Sequence, residues 1–139
     1  MSDAKYSIPL EDILPADVAR DAVGRVEGVL TEAVSFDAGV IGRLGQPGAA
    51  VVVASARITG RPYFGERARG ARITFIADGH PLPGPSFDDV TGHILIYYPL
   101  SQYEAVAGVL RGSKYILCIY WESVSIDQRG ATLHTYDRV

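Results

Sequence analysis

The sequence predicts an α+β fold that is predominantly β: a single domain of about six strands in a strongly curved sheet or small barrel, with one capped helix at about 101–111 between the fourth and fifth strands. Three observations predict it. The runs from His93 to Tyr98 and from Tyr115 to Trp121 are short, apolar and rich in β-branched and aromatic residues, a composition that favours strands at this length. Between them lies one stretch of helical periodicity with start and stop signals. Elsewhere, glycine and proline clusters cut the chain into segments of period two, with no internal repeat and no linker to mark a second domain.

In chain order, residues 1–22 form a poorly defined N-terminal segment. Pro9 and Pro15 break any long pattern, and a turn or short helix falls around Asp17 to Ala22. Val23 to Phe36 reads as a half-buried strand. Val26, Leu30, Val34 and Phe36 share one face with Gly28, and Gly24 or Gly28 marks a bend or bulge. A glycine-rich loop from Asp37 to Gly48 leads to a second strand, Ala49 to Thr59, antiparallel to the first. A second loop, Gly60 to Ala71, leads to a third strand, Arg72 to Ala77, with Ile73, Phe75 and Ala77 inward. Asp78 to Gly92, with prolines at 81, 83 and 85, is long for a connection in a compact domain.

The runs 93–98 and 115–121 are apolar on both faces, so both should be central strands. Ser101-Gln102-Tyr103-Glu104 has the form of a capping box. Leu100, Tyr103, Val106, Ala107 and Leu110 form one apolar face, and Gly112 stands where a left-handed cap is wanted. A helix of about eleven residues spans roughly 16 Å, enough to carry the chain back so that the two strands pair in parallel; closure of a barrel end by the helix is the alternative. Asp127-Gln128-Arg129-Gly130 fits a type I turn, joining the Tyr115 strand to a final strand, Thr132 to Asp137.

With 139 residues and 47% hydrophobic side chains, the chain can build a core without staples. The single cysteine, Cys118, excludes an internal disulfide framework and reads as a buried, inert thiol. No Cys/His spacing points to a metal, and no cofactor motif appears. Met1 to Tyr6 does not have the form of a signal peptide, and no apolar stretch has the length of a membrane span. The expectation is therefore a cytoplasmic protein with no membrane partner. The net charge of −3 hides an asymmetry: −5 over residues 1–37, +5 over 38–72 and −3 over 73–139. That pattern means internal pairing or an anionic partner.

The most distinctive polar stretch carries Arg57, Arg61, Arg67, Arg69 and Arg72 interleaved with Tyr63 and Phe64. Guanidinium forks grip carboxylate or phosphate, and aromatic rings stack on bases, so these seven residues are the candidate ligand-binding set. The plainer reading is a solvated hairpin tip paired with the acidic N-terminal third, and the acidic overall balance counts against a dedicated nucleic-acid binder. His80, Asp88 and Asp89 form the best site-like group in the Pro-rich loop, although two adjacent acids more simply make a solvated turn. His80, His93 and His134 could meet Asp88, Asp89 or Glu122 in the fold, but they lie on separate elements and no spacing links them, so the sequence assigns no catalytic residue. Tyr97, Tyr98, Tyr103, Tyr115, Tyr120, Trp121 and Tyr136 crowd the last third of the chain. They point to an aromatic-rich sheet face that a second copy would cover. The leading expectation is a non-catalytic binding or assembly protein, homodimeric through that face. The alternatives are a binder of a small anionic ligand or single-stranded nucleic acid through 57–72, and a small enzyme using His80 or His134.

Overall fold

The computed structural model describes Leu14 and residues 23–37, 52–113, 115–124 and 128–136. The expected short helix at 17–22, the loop at 38–48 and the first residue of the 127–130 turn lie outside them. Strands β1 (Val23–Asp37), β2 (Val52–Pro62), β3 (Gly70–Ile76), β4 (Ser86–Asp88), β5 (His93–Pro99), β6 (Tyr115–Ser123) and β7 (Arg129–Tyr136) form one sheet. Its order is β4-β5-β3-β2-β1-β6-β7, and it curls into a half-barrel. The one α-helix among the described residues, α1 (Tyr103–Gly112), lies between β5 and β6. Among the described residues no helix is long and apolar enough to cross a membrane.

The seventh strand is β4, which lies inside the Pro-rich loop; at three residues it is too short to leave a periodic signal. Strand β2 also runs on to Pro62, because its last residues pair with Val29 and Leu30 of β1. That shortens the arginine loop to residues 63–69.

Strand β1 organises the sheet. Its first half pairs with β6 and its second half with β2, both antiparallel. A bulge between Thr31 and Ala33 separates the halves and inverts which side chains point inward. Val26 and Leu30 therefore pack on the outer face with Tyr63 and Leu117, whereas Val34 and Phe36 join the inner core. The single alternating face expected for this strand is split by that extra residue. Gly28 permits a close approach on the same strand: its N–H donates to Phe64 O at 2.7 Å, and its carbonyl accepts from Tyr63 N at 2.9 Å. A Cβ there would meet Ile119 Cδ1 at 2.6 Å and Phe64 N at 3.2 Å.

The expected parallel pairing of the 93–98 and 115–121 strands does not occur. Strand β5 pairs in parallel with β3, while β6 lies on the far side of β1 and pairs antiparallel with β1 and β7. The length of α1 establishes only that the chain can return, not which strand it returns beside. The helix packs Val106, Ala107 and Leu110 inward, with Tyr103 edge-on to Phe75 at 4.8 Å. The capping box does not form either. The Ser101 N–H donates instead to Asp78 Oδ1 at 3.0 Å, so a carboxylate from the turn after β3 holds the 3-10 turn, Leu100–Gln102, that leads into α1. Gly112 ends the helix with no left-handed residue, since Ser113 is extended (φ −107°, ψ 137°).

The inner core joins Val29, Ala56, Ile58, Ile73, Phe75, Ile94, Ile96, Ile116, Cys118 and Tyr120. Burial pushes the Cys118 thiol up to about 12, so it stays protonated and unreactive at neutral pH. Strand β6 is buried on both faces. Its outer residues Leu117 and Ile119 lie under Tyr63 and Phe64, and Trp121 lies under Leu14. The aromatic residues of the last third do not form one face: Tyr98, Tyr103 and Tyr120 turn inward, whereas Trp121 belongs to the outer cluster. The outer residues of β6 are thus covered by Tyr63, Phe64 and Leu14 of this chain.

Candidate functional site

Clean alternation in β2 and β3 builds a polar outer surface. Ala54, Ala56 and Ile58 enter the core from β2, and Ala71, Ile73 and Phe75 enter it from β3. The intervening residues, Ser55 and Arg57 on β2 and Arg72 and Thr74 on β3, are thereby placed on the opposite face. Register then assembles them into rows. Ser55 lies opposite Thr74, which lies beside Tyr97; Arg57 lies opposite Arg72, which lies beside Leu95; Thr59 lies opposite Gly70, which lies beside His93. Ser55, Arg57, Arg72, Thr74, Asp88, Thr91, His93, Leu95 and Tyr97 line an open cleft of about 680 Å³. That is within the ~300–1,000 Å³ usual for small-molecule sites.

Arg57 and Arg72 are direct cross-strand partners. Both are exposed, and neither makes an ion pair among the described residues. Like charges placed opposite each other in an antiparallel pair repel. The acid nearest in register, Asp37, sits opposite Ser55 and pairs with neither arginine. The His93 ring leans over Gly70: a Cβ on that glycine would lie 3.2 Å from both His93 Cδ2 and Nε2. Asp88 borders the cleft, and its Oδ1 accepts from the N–H groups of Val90 (2.9 Å) and Thr91 (3.3 Å). These backbone donors hold its carboxyl below the usual carboxylate range.

A second arginine group behaves differently. Arg25 Nη2 lies 2.6 Å from Asp89 Oδ1, its Nε 3.2 Å from Glu27 Oε2, and its Nη1 3.8 Å from Glu122 Oε2. Its guanidinium lies over the Phe87 ring at 4.8 Å. Arg67 Nη1 reaches the same Asp89 oxygen at 2.8 Å, and the Arg67 N–H donates to Glu27 Oε1 at 3.4 Å. Glu27 is buried, and the buried Tyr120 hydroxyl donates to Glu122 Oε2. Burial, and then that hydrogen bond, push the Tyr120 hydroxyl up to about 12. The hydrogen bond from Arg25 holds Asp89 below the usual carboxylate range. This network ties β1, β6, the 63–69 loop and the turn after β4 together at one end of the half-barrel.

The seven residues of the arginine stretch are thus divided. Arg57 and Arg72 meet on the outer face, 15 residues apart in sequence. Arg67 belongs to the Asp89 network, Arg69 donates to the carbonyls of Glu66 (3.0 Å) and Ala68 (3.3 Å), and Arg61 is exposed opposite Leu30. Tyr63 is buried and Phe64 half-buried, so both rings are spent on packing rather than presented for stacking. His80 is not brought to Asp88 and Asp89. Its N–H donates to Ala77 O beyond the end of β3, whereas Asp88 pairs with His93, which in turn pairs with the first residue of β3. Those positions are separated by the length of β3, roughly 20 Å. His134 Nε2 lies 2.6 Å from Thr132 Oγ1 on β7. Among the described residues no group of three or more His, Cys, Asp or Glu side chains is arranged to hold a metal ion.

Sequence reasoning missed Arg25 and Glu27, and also the cleft walls Ser55, Thr74 and Leu95; it singled out Glu122 and Tyr97, but for a histidine cluster and an aromatic face respectively. The alternation of β2 and β3 was the signal that could have placed Arg57 and Arg72 on one polar face. Comparison of the chain with protein-family models, with curated proteins and with solved structures finds no match.

Proposed function

We propose that this protein is a non-catalytic binding protein whose ligand is a small anion, held on the outer face of the sheet between Arg57 and Arg72. The observation that carries the reading is the pairing of two exposed like charges across β2 and β3 with no carboxylate ion-paired to either among the described residues. A bound carboxylate or phosphate would relieve that repulsion and accept bidentate hydrogen bonds from both forks. Single-stranded nucleic acid fits less well, because the loop's aromatic rings lie in the outer packing cluster.

The test is a calorimetric titration of the full chain with inorganic phosphate and with acetate at low ionic strength, repeated on Arg57→Ala/Arg72→Ala. Saturable binding of an anion by the native chain and its loss in the variant is the expected result. Binding that survives the double substitution would remove the proposal.

Self-association is a second reading, favoured by one feature. Among the described strands β7 is an edge of eight residues, 129–136, paired only on its β6 side. Edge strands without proline or a run of charge are templates for pairing with another chain. A mass near 30 kDa by light scattering across a dilution series would support the dimer, and a constant 15.0 kDa would reject it.

A further inference from the structure

We infer that the ligand of the outer cleft is an aromatic carboxylate: a flat ring bearing one singly charged acid group. This rests on the anion-binding reading above and adds the chemistry of the rest of the molecule. The charged end is set by Arg57 and Arg72, with the Ser55 and Thr74 hydroxyls in the adjoining row. From the midpoint of the β2–β3 pair to β5 is roughly 7 Å, given strand spacings of about 4.8 Å. The cleft runs from the arginine pair across to β5, so a substituent on a carboxylate held between the arginines has its room over β5.

What β5 presents there is not polar. Leu95 lies in the arginine row, with Tyr97 two residues to one side and His93 two residues to the other. Tyr97 and His93 are about 13 Å apart along the strand, with Leu95 as the floor midway between them. That slot takes one flat ring, resting on an aliphatic side chain and flanked by two aromatic ones. Gly70 helps to shape it, because the His93 ring occupies the space where a side chain would stand. The charge balance selects a monoanion. Asp88 is also on the cleft lining and is held ionised by the backbone N–H groups of Val90 and Thr91, so a second negative charge at the β5 end would meet a carboxylate.

The experiment is a set of calorimetric titrations of the full chain with benzoate, cyclohexanecarboxylate, acetate and inorganic phosphate. Benzoate should bind about tenfold more tightly than acetate and several-fold more tightly than cyclohexanecarboxylate, the margin expected of ring–ring contact. Tyr97→Leu should bring benzoate and cyclohexanecarboxylate together, whereas Tyr97→Phe should keep them apart. If acetate, phosphate and benzoate bind alike, the aromatic-acid assignment is overturned while the anion reading stands. If no anion binds, or if Arg57→Ala/Arg72→Ala leaves benzoate binding intact, both fall. A thermal unfolding midpoint near that of the native chain certifies each variant as folded.

Discussion

Two groups of arginines, one closing an end of the half-barrel and one on the outer face of the sheet, carry opposite lessons. Arg25 and Arg67 converge on Asp89, with Glu27 and Glu122 completing the charge balance. Arg57 and Arg72 are direct cross-strand partners with no such acid among the described residues. The first group is neutralised within the chain, crosses from strand to loop and closes one end of the half-barrel. The second places like charges across a strand pair with no carboxylate ion-paired to either among the described residues, and an anionic ligand is the partner we propose for it. A count of arginines in a stretch of sequence cannot tell these apart, because the difference lies in which carboxylates the fold brings near.

Removing Arg25 should have the largest effect on stability. Arg25→Ala leaves Glu27, 6% exposed, without its cation, and an unpaired buried charge is costly. A loss of about 2–4 kcal/mol in denaturant unfolding is expected. Arg25→Ala/Glu27→Gln should recover a large part of it, because the stranded charge is then gone. If Arg25→Ala proved as mild as a surface substitution, the structural role assigned to this group would be wrong.

Asp89→Asn should destabilise less than Arg25→Ala, because Asp89 is exposed and solvent screens its contacts. It should show itself in the pH dependence. The Asp89 carboxyl is depressed in the folded state, so its contribution is present above the unfolded carboxylate range and is lost as pH falls through the lower folded value. The acid limb of the stability profile should therefore be shallower in Asp89→Asn. An unchanged limb would place the acid sensitivity elsewhere.

The smallest effect on stability belongs to the outer pair. Arg57→Ala and Arg72→Ala should each lie within about 0.5 kcal/mol of the native chain, with stabilisation the favoured sign as the repulsion is relieved. Their cost should fall on anion binding instead. Marked destabilisation by either would mean that these arginines serve the fold, and the contrast between the two groups would collapse.

Much of this architecture was legible in the sequence, and what was not has a common physical origin. The mostly-β class, the single helix between two apolar strands and the β6–β7 hairpin follow from local period and composition. Apart from the three-residue β4 and the helix end at Gly112, the errors are non-local. The return of the chain through α1 does not say that β5 will choose β3, nor that three strands will separate it from β6. The Ser101 N–H before the helix is taken by Asp78, 23 residues earlier, where a local motif had offered a nearer partner. One bulged residue in β1 turns Val34 and Phe36 to the opposite face from Leu30. The candidate site has the same character. Arg57 and Arg72 were visible as a charged stretch, but their juxtaposition exists only in the β2–β3 register, and Leu95 and Tyr97 join them only through the parallel pairing of β5.

The most direct measurement is to follow the arginine Nε–Hε resonances by ¹H–¹⁵N NMR while benzoate is titrated into the full-length protein. The account predicts saturable shifts confined to Arg57 and Arg72, with Arg25 and Arg67 unmoved because Asp89 already holds them. Shifts of equal size at Arg25 and Arg67, or none at Arg57 and Arg72, would contradict it.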